Sequence, residues 1–177
     1  AYRSMTGSTA TTGLDTRQPT RVITDLAPVS AVGVVGQRLR DSRRSRSFLA
    51  LGIPGHRLER ATRVLSQEFG ALEVDLTEVL LTAVREQAGQ AGMRWATIEA
   101  ADAAEPGTRP AQGLATLVER SLPSVTTVVE EAMNAAGETE QPVLLTEASS
   151  LARYGHLGVL AQWTDLTRAR RQAVWLV

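Results

Sequence analysis

From about residue 48 onward the apolar residues of this chain follow two alternating rhythms. Phe48-Leu49-Ala50-Leu51-Gly52-Ile53 is a short unbroken apolar run closed by Pro54-Gly55, which predicts a buried strand and a turn. Leu58, Ala61, Leu65 and Phe69 then recur at helical spacing, with Gly70 as the stop. Asp75 followed by Glu78 predicts a helix start, because the Asp carboxylate can accept the orphan N–H groups of the first turn. Behind it Leu76, Val79, Leu80, Ala83 and Val84 form an apolar stripe that ends before Gly89 and Gly92. Residues 93–100 read as a second strand, and residues 101–112, with Pro106, Gly107 and Pro110, as a loop. Two helical segments follow, at 114–121 and 123–136. Pro123 is expected in the first turn of the second, where its missing N–H costs little, and Gly137 is the stop. Residues 142–147 predict a third strand, with Ser149 as the cap of the next helix. The inward stripe of that helix is Leu151, Tyr154, Leu157, Leu160, Trp163 and Leu166, and Gly155 divides it into a short and a long piece. Arg168, Arg170 and Arg171 fall at its C-terminus, where cations suit the helix dipole. Trp175-Leu176-Val177 opens a fourth strand.

Strands alternating with helices predict a three-layer α/β/α domain over residues 47–177, built on a mostly parallel sheet of four or more strands. Because the last apolar run stops inside a strand, the domain is expected to be truncated there. With no initiator Met at the start, both ends suggest a piece of a larger protein. Ahead of the domain, residues 1–27 are rich in Thr, Ser, Gly and Asp without a sustained period. They are expected to be a flexible arm or linker with one short turn near Val22-Ile23. Residues 28–46 read as an Arg-rich helix or linker, helical from Val29 to about Arg40 although Gly33 and Gly36 each cost about 1 kcal/mol relative to Ala. It runs into Arg38, Arg40, Arg43, Arg44 and Arg46, with Asp41 alone opposing them.

Composition removes several chemistries. The 177 residues carry 19 basic and 19 acidic groups, so net charge exerts no general pull toward nucleic acid or a membrane. Every basic residue is Arg. Without lysine there is no Schiff base, no Walker lysine and no kinase strand lysine, so the chain alone is neither a working P-loop ATPase nor a working kinase. The absence of Cys excludes disulfides, thiolate catalysis and Cys-ligated zinc, and fits the cytoplasm. No apolar run approaches the roughly 20 residues that span a bilayer, so no membrane partner is expected.

In an open α/β sheet the ligand crevice lies outside the carboxyl ends of the strands. The residues expected there are Gly52, Pro54, Gly55, His56 and Arg57 after the first strand, Glu99 and Asp102 after the second, and Thr146 and Glu147 after the third. Gly-Ile-Pro-Gly-His-Arg stands where a P-loop would sit, but lacks the Lys that neutralises phosphate and the Ser/Thr that holds magnesium. Arg57 offers charge without the compact ammonium, and the segment serves equally as a plain connecting turn. Val143-Leu144-Leu145-Thr146-Glu147 has the form of a Walker B strand with Thr at the Asp position; Glu147 reads equally as a surface acid. His56 and His156, with Asp102 or Glu147, are candidates for a metal-assisted hydrolase cluster, although no ligand spacing supports one and no metal site is assigned. There is no G-x-S-x-G elbow. Arg38, Arg40, Arg43, Arg44 and Arg46 could bind nucleic-acid phosphates, possible DNA among them, or form a solvated charge run. Trp95, Trp163 and Trp175 are expected in the core.

Three segments carry a resemblance: Phe48 through Leu65, Thr97-Ile98-Glu99-Ala100-Ala101-Asp102, and Val143-Leu144-Leu145-Thr146-Glu147 on to Gly155. Their order resembles a degenerate AAA+ (P-loop NTPase-like) core. The last segment, with Ala173-Val174-Trp175-Leu176-Val177, is similar to the C-terminal region of the PglW family, large serine/threonine kinases of phage growth limitation (BREX-type) defence systems. The resemblance covers residues 40–177. It implies a kinase domain elsewhere in the parent protein, with ATP as that parent's cofactor and none assigned here. It also implies other domains of the kinase and other defence proteins as partners. Gly55 and Glu147 alone correspond, to a P-loop glycine and the Walker B acid. No Gly-rich loop, V-A-I-K, H-R-D or D-F-G is present, so no catalytic residue carries over. The implied role is a non-catalytic regulatory or assembly domain. A vestigial nucleotide crevice would then lie at Gly52, Gly55, His56, Arg57 and Glu147.

Overall fold

A computed structural model describes residues 30–165 and 169–177; the expected arm at residues 1–27, with its turn near Val22-Ile23, and the positions Leu166 and Arg168 lie outside the described residues. The elements run α1 (Ser30–Ser45), β1 (Phe48–Ala50), α2 (Leu58–Glu68), β2 (Leu72–Asp75), α3 (Leu76–Gln90), α4 (Trp95–Asp102), α5 (Arg109–Thr139), β3 (Val143–Thr146), α6 (Ser149–Arg153), α7 (Ala161–Thr164) and β4 (Val174–Leu176). Among the described residues the strands form one sheet in the order β1-β4-β3-β2, and every pairing is parallel.

The strand order explains the layers. The β1-to-β2 crossover travels across the sheet, and the two later crossovers travel back, so right-handed connections must lie on opposite faces. Successive residues of the central strands serve these faces in turn, as the period of 2 requires. Val143, Leu145 and Val174 join the larger core, made mostly by α3, α4 and α5 through residues such as Leu80, Ile98, Val118, Val125 and Val129. Leu144 and Trp175 join the smaller one, with Leu39 of α1 and Leu65 of α2. The three-layer architecture and the parallel sheet expected from the alternation are therefore present. Leu39 and Ser42, each 3% exposed, seat α1 directly on the sheet.

Several local expectations need correction. Residues 93–100 are not a strand; α4 occupies most of that span, with Trp95, Ile98 and Ala101 turned inward at three-residue spacing. The second strand is instead Leu72–Asp75, a short edge strand in which Val74 is buried. The loop expected over 101–112 shrinks, because α4 runs to Asp102 and α5 begins at Arg109. The helices expected at 114–121 and 123–136 are one 31-residue helix, with Pro123 inside it rather than in a first turn and Gly137 inside it rather than as its stop. The proline's missing N–H leaves the Glu119 carbonyl without a helical donor, but Pro123 faces solvent, and the inward series Leu114, Leu117, Val118, Ser121, Val125, Val129, Met133 and Ala136 runs through unbroken. After β3 the expected break at Gly155, φ 75°, is present, but the long piece beyond it is a single turn at Leu157–Leu160 followed by the short α7. Ser149 does not cap; the residue ahead of α6 is Ala148, without a side-chain bond. Leu157 is 48% exposed rather than inward, and Arg170 and Arg171 lie in irregular chain ahead of β4 rather than at a helix end.

A candidate crevice at the strand C-termini

Parallel pairing gathers three loops at one rim: residues 51–57 after β1, 75–77 after β2 and 147–150 after β3. Behind them the α3 start is well made, since Asp75 Oδ1 accepts the Glu78 N–H at 2.9 Å, as the sequence predicted.

The loop after β1 is short and closed upon itself. Leu51 N–H continues the ladder to the Leu176 carbonyl at 2.8 Å, and Gly55–Arg57 form a single turn in which Arg57 N–H donates to the Pro54 carbonyl at 2.8 Å. Arg57 Nε donates to His56 Nε2 at 3.2 Å. Gly52, Gly55, His56 and Arg57 are all exposed. Gly55 has no positive φ, and a Cβ built on it would meet nothing within 4 Å, so the turn itself does not demand glycine there. The expected crevice residues on this side thus stand at the rim, and one of the N–H groups a phosphate cradle would need is already bonded within the turn.

The loop after β3 is under tension. Glu147 is exposed with φ 53°, a left-handed conformation that costs a non-glycine residue about 1–3 kcal/mol. It is held there from β2's side of the rim: Thr77 Oγ1 donates to the Glu147 carbonyl at 2.8 Å and lies 2.9 Å from Ser150 Oγ. Thr146, where a Walker B strand would carry Asp, is 3% exposed, with its hydroxyl 3.5 Å from the Val74 carbonyl and 3.5 Å from Glu73 Oε1. It is directed into the sheet's own bonding. Thr77 and Ser150 went unremarked in the sequence, since nothing local joins residues 73 apart.

Glu99 and Asp102 do not follow a strand. Glu99 is exposed on α4, and Asp102 ends that helix, where Tyr154 donates its hydroxyl to Oδ1 at 2.6 Å and Arg153 approaches at 2.8 Å. Burial, then the hydrogen bond and charge of Asp102, push Tyr154 up from 10.0 to about 12. This knot ties α4 to the end of α6. His156 is half-buried at the turn after α6, its backbone N–H donating to the Leu151 carbonyl at 2.8 Å. Among the described residues no group of three or more His, Asp or Glu side chains could hold a metal ion, so His56, Asp102 and Glu147 are not brought together as a metal cluster.

The arginine series lies on α1. Arg40, Arg43, Arg44 and Arg46 are exposed and Arg38 is half-buried; Arg40 and Arg44 fall opposite the Leu39–Ser42 stripe, and Arg38 and Arg43 flank it. Arg44 lies 3.7 Å from Asp41, Arg40 bonds Gln37 at 3.3 Å, and Arg46 pairs with Glu140 at 3.1 Å. Arg43 and Arg44 occupy the last turn, where they offset the helix dipole. A cavity of about 360 Å³ lies at the other end of the sheet, ahead of β4, lined by residues including Glu130, Asn134, Gln162, Trp163 and Arg171. Among the described residues no helix is long and apolar enough to cross a membrane.

The chain is similar to a Streptomyces coelicolor protein described as "Probable kinase PglW": they are 32% identical over 143 residues, 80% of this chain. That stretch is 9% of the longer protein, so the chain corresponds to a small region of it. No family model matches the chain. No solved structure matches it either.

Proposed function

Starting from this kinship with a region of PglW, we propose that the chain is a non-catalytic, ATPase-like regulatory or assembly domain of a cytoplasmic phage-defence serine/threonine kinase. The parent's kinase activity and its use of ATP belong to other parts of that polypeptide. This domain acts by docking to them or to other defence proteins.

The observation that carries the reading is the state of the two loops that would share a nucleotide. The strand–turn–helix after β1 and the acid-ended β3, with β4 between them, are the features that support the comparison with a degenerate P-loop core. The groups that would do the chemistry are replaced. No lysine follows Gly55, whose turn is closed by the Arg57 N–H, and Thr146 is buried against β2 where an Asp would hold magnesium. Glu147 remains at the rim, in its left-handed conformation. An acid that positions water accelerates nothing without the cation that draws charge off the phosphate.

The test is ATP turnover by the purified chain with magnesium. No turnover above buffer is expected for the natural sequence or for Glu147→Gln. Hydrolysis by the natural sequence that disappears in Glu147→Gln would defeat the proposal.

A second reading, a nucleic-acid-binding module, draws on the outward-facing Arg40, Arg43, Arg44 and Arg46. It requires DNA affinity that falls steeply with salt and drops when Arg40, Arg43 and Arg44 become Ala. Absent or salt-insensitive binding removes it.

A further inference from the structure

The sheet has two edges that differ in chemistry. β2 carries Glu73, exposed, and Asp75 among its four residues, and charge on an edge strand discourages a further strand from adding. At β1 the whole stretch from Ser47 to Gly55 has no charged residue, and Phe48, Leu49 and Ala50 are each half-buried. Parallel pairing with β4 uses the backbone of alternate residues: Val174 N–H reaches the Ser47 carbonyl at 3.3 Å and Leu51 N–H the Leu176 carbonyl at 2.8 Å. The N–H and C=O groups of Phe48 and Ala50 therefore point away from β4, and among the described residues no segment pairs with them.

Both ends of this edge are basic. Arg43, Arg44 and Arg46 stand where α1 turns into β1 and outnumber the Asp41 and Glu140 carboxylates beside them, and Arg57 and Arg60 follow its far end on either side of Glu59, so each end keeps a basic excess. Antiparallel pairing of β1 with β1 of a second copy would set each basic end against the other copy's basic end, and so is opposed by charge. A strand with acidic flanks meets attraction at both ends.

We propose that the outer edge of β1 is a docking edge for an extended polypeptide segment in which an apolar, β-branched stretch is flanked by acidic residues. The segment adds as a further strand: its backbone bonds Phe48 and Ala50, and its flanks meet the arginines. The proposal deepens the docking role above and rests on it only for the source of the segment. Because the peptide test involves no ATP, the two readings fail separately.

The experiment uses the full chain and two fluorescein-labelled peptides, Glu-Glu-Val-Thr-Val-Thr-Val-Glu-Glu and the same core flanked by lysines. Fluorescence anisotropy at low salt should show the acidic-flanked peptide binding at least roughly tenfold more tightly. Hydrogen exchange at the Phe48 and Ala50 amides should slow when it binds. Ala50→Pro deletes an outward N–H while sparing the β4 ladder, and should abolish binding. If that variant does not fold, Arg43→Glu with Arg44→Glu carries the test and should remove the preference for acidic flanks. Equal affinity for the two peptides, or binding indifferent to both variants, overturns the proposal. So does a dimer of the unliganded chain that Ala50→Pro disperses, because the edge would then belong to a second copy. Duplex DNA that displaces the peptide and loses its own binding in the double arginine variant overturns it too.

Discussion

The two faces of the sheet hold their helices by different means. On one, α3, α4 and α5 pack against one another as well as against the strands, and the core is a broad field of Leu, Val and Ala. On the other, α1 and α2 contribute few buried apolar side chains, Leu39 and Leu65, with Val35 and with Phe69 at the end of α2 packed beside them. The space is filled by one large group. Trp175 is fully buried, meets Phe69 edge-on at 5.8 Å and 84°, and donates its indole N–H to Ser42 Oγ at 3.1 Å. Ser42 in turn donates its hydroxyl to the Ser47 carbonyl at 2.9 Å, so a three-part chain pins α1 to β4 and to the start of β1. A wide core distributes its free energy over many contacts, whereas a narrow one concentrates it in a hub. That hub lies in β4, in register with Leu49 of the β1 edge strand.

This contrast is open to direct attack. Trp175→Ala should cost most, about 4 kcal/mol in urea unfolding followed by circular dichroism, because it removes the filler and leaves Ser42 without its donor. Neighbouring residues of β3 then compare the faces on one strand, since Leu144 and Leu145 are both fully buried and point oppositely. Leu145→Ala should cost roughly 3 kcal/mol and Leu144→Ala roughly 2 kcal/mol, because the lightly anchored α1–α2 layer can settle into its cavity more readily than the interlocked α3–α5 layer. Equal losses would break the comparison. Ser42→Ala should follow at about 1–2 kcal/mol, the cost of an indole N–H buried without its acceptor. Ser42→Thr, which keeps the hydroxyl, should lose less.

The smallest effect lies at the knot between α4 and α6. Tyr154 holds its proton more tightly folded than unfolded, so its contribution is complete below pH 10 and vanishes as pH rises from 10 to about 12. Tyr154→Phe should flatten that part of the stability profile and leave the Trp175 hub untouched.

How far the fold was legible depended on how strongly each segment was buried. β3 and β4 show as apolar runs because both of their faces are covered. The capping of α3 by Asp75 was readable because it is made within four residues. β2 went unseen because an edge strand alternates Leu, Glu, Val, Asp and is too short to establish a period. Residues 93–100 were misread through Trp95, Thr97 and Ile98, which favour strands one by one. The spacing of Trp95, Ile98 and Ala101 was the available helical signal. Pro123 suggested a boundary that the apolar series on both sides overrode. Of the candidate site, the sequence marked the residues of the first and third loops but not what holds them.

The sequence by itself determined most of the alternation of helices and strands, the continuous apolar runs of β3 and β4, and the absence of any lysine to grip phosphate; these are local patterns and composition, which need no partner across space. Tertiary structure alone decided the order β1-β4-β3-β2, and with it which strand would have a charged edge and which an uncharged one. It also decided that Thr77 would hold Glu147 across the rim and that Ser42 would accept a hydrogen bond from the Trp175 indole. Those contacts join residues 70 and 133 apart in the chain, and no periodicity reaches so far.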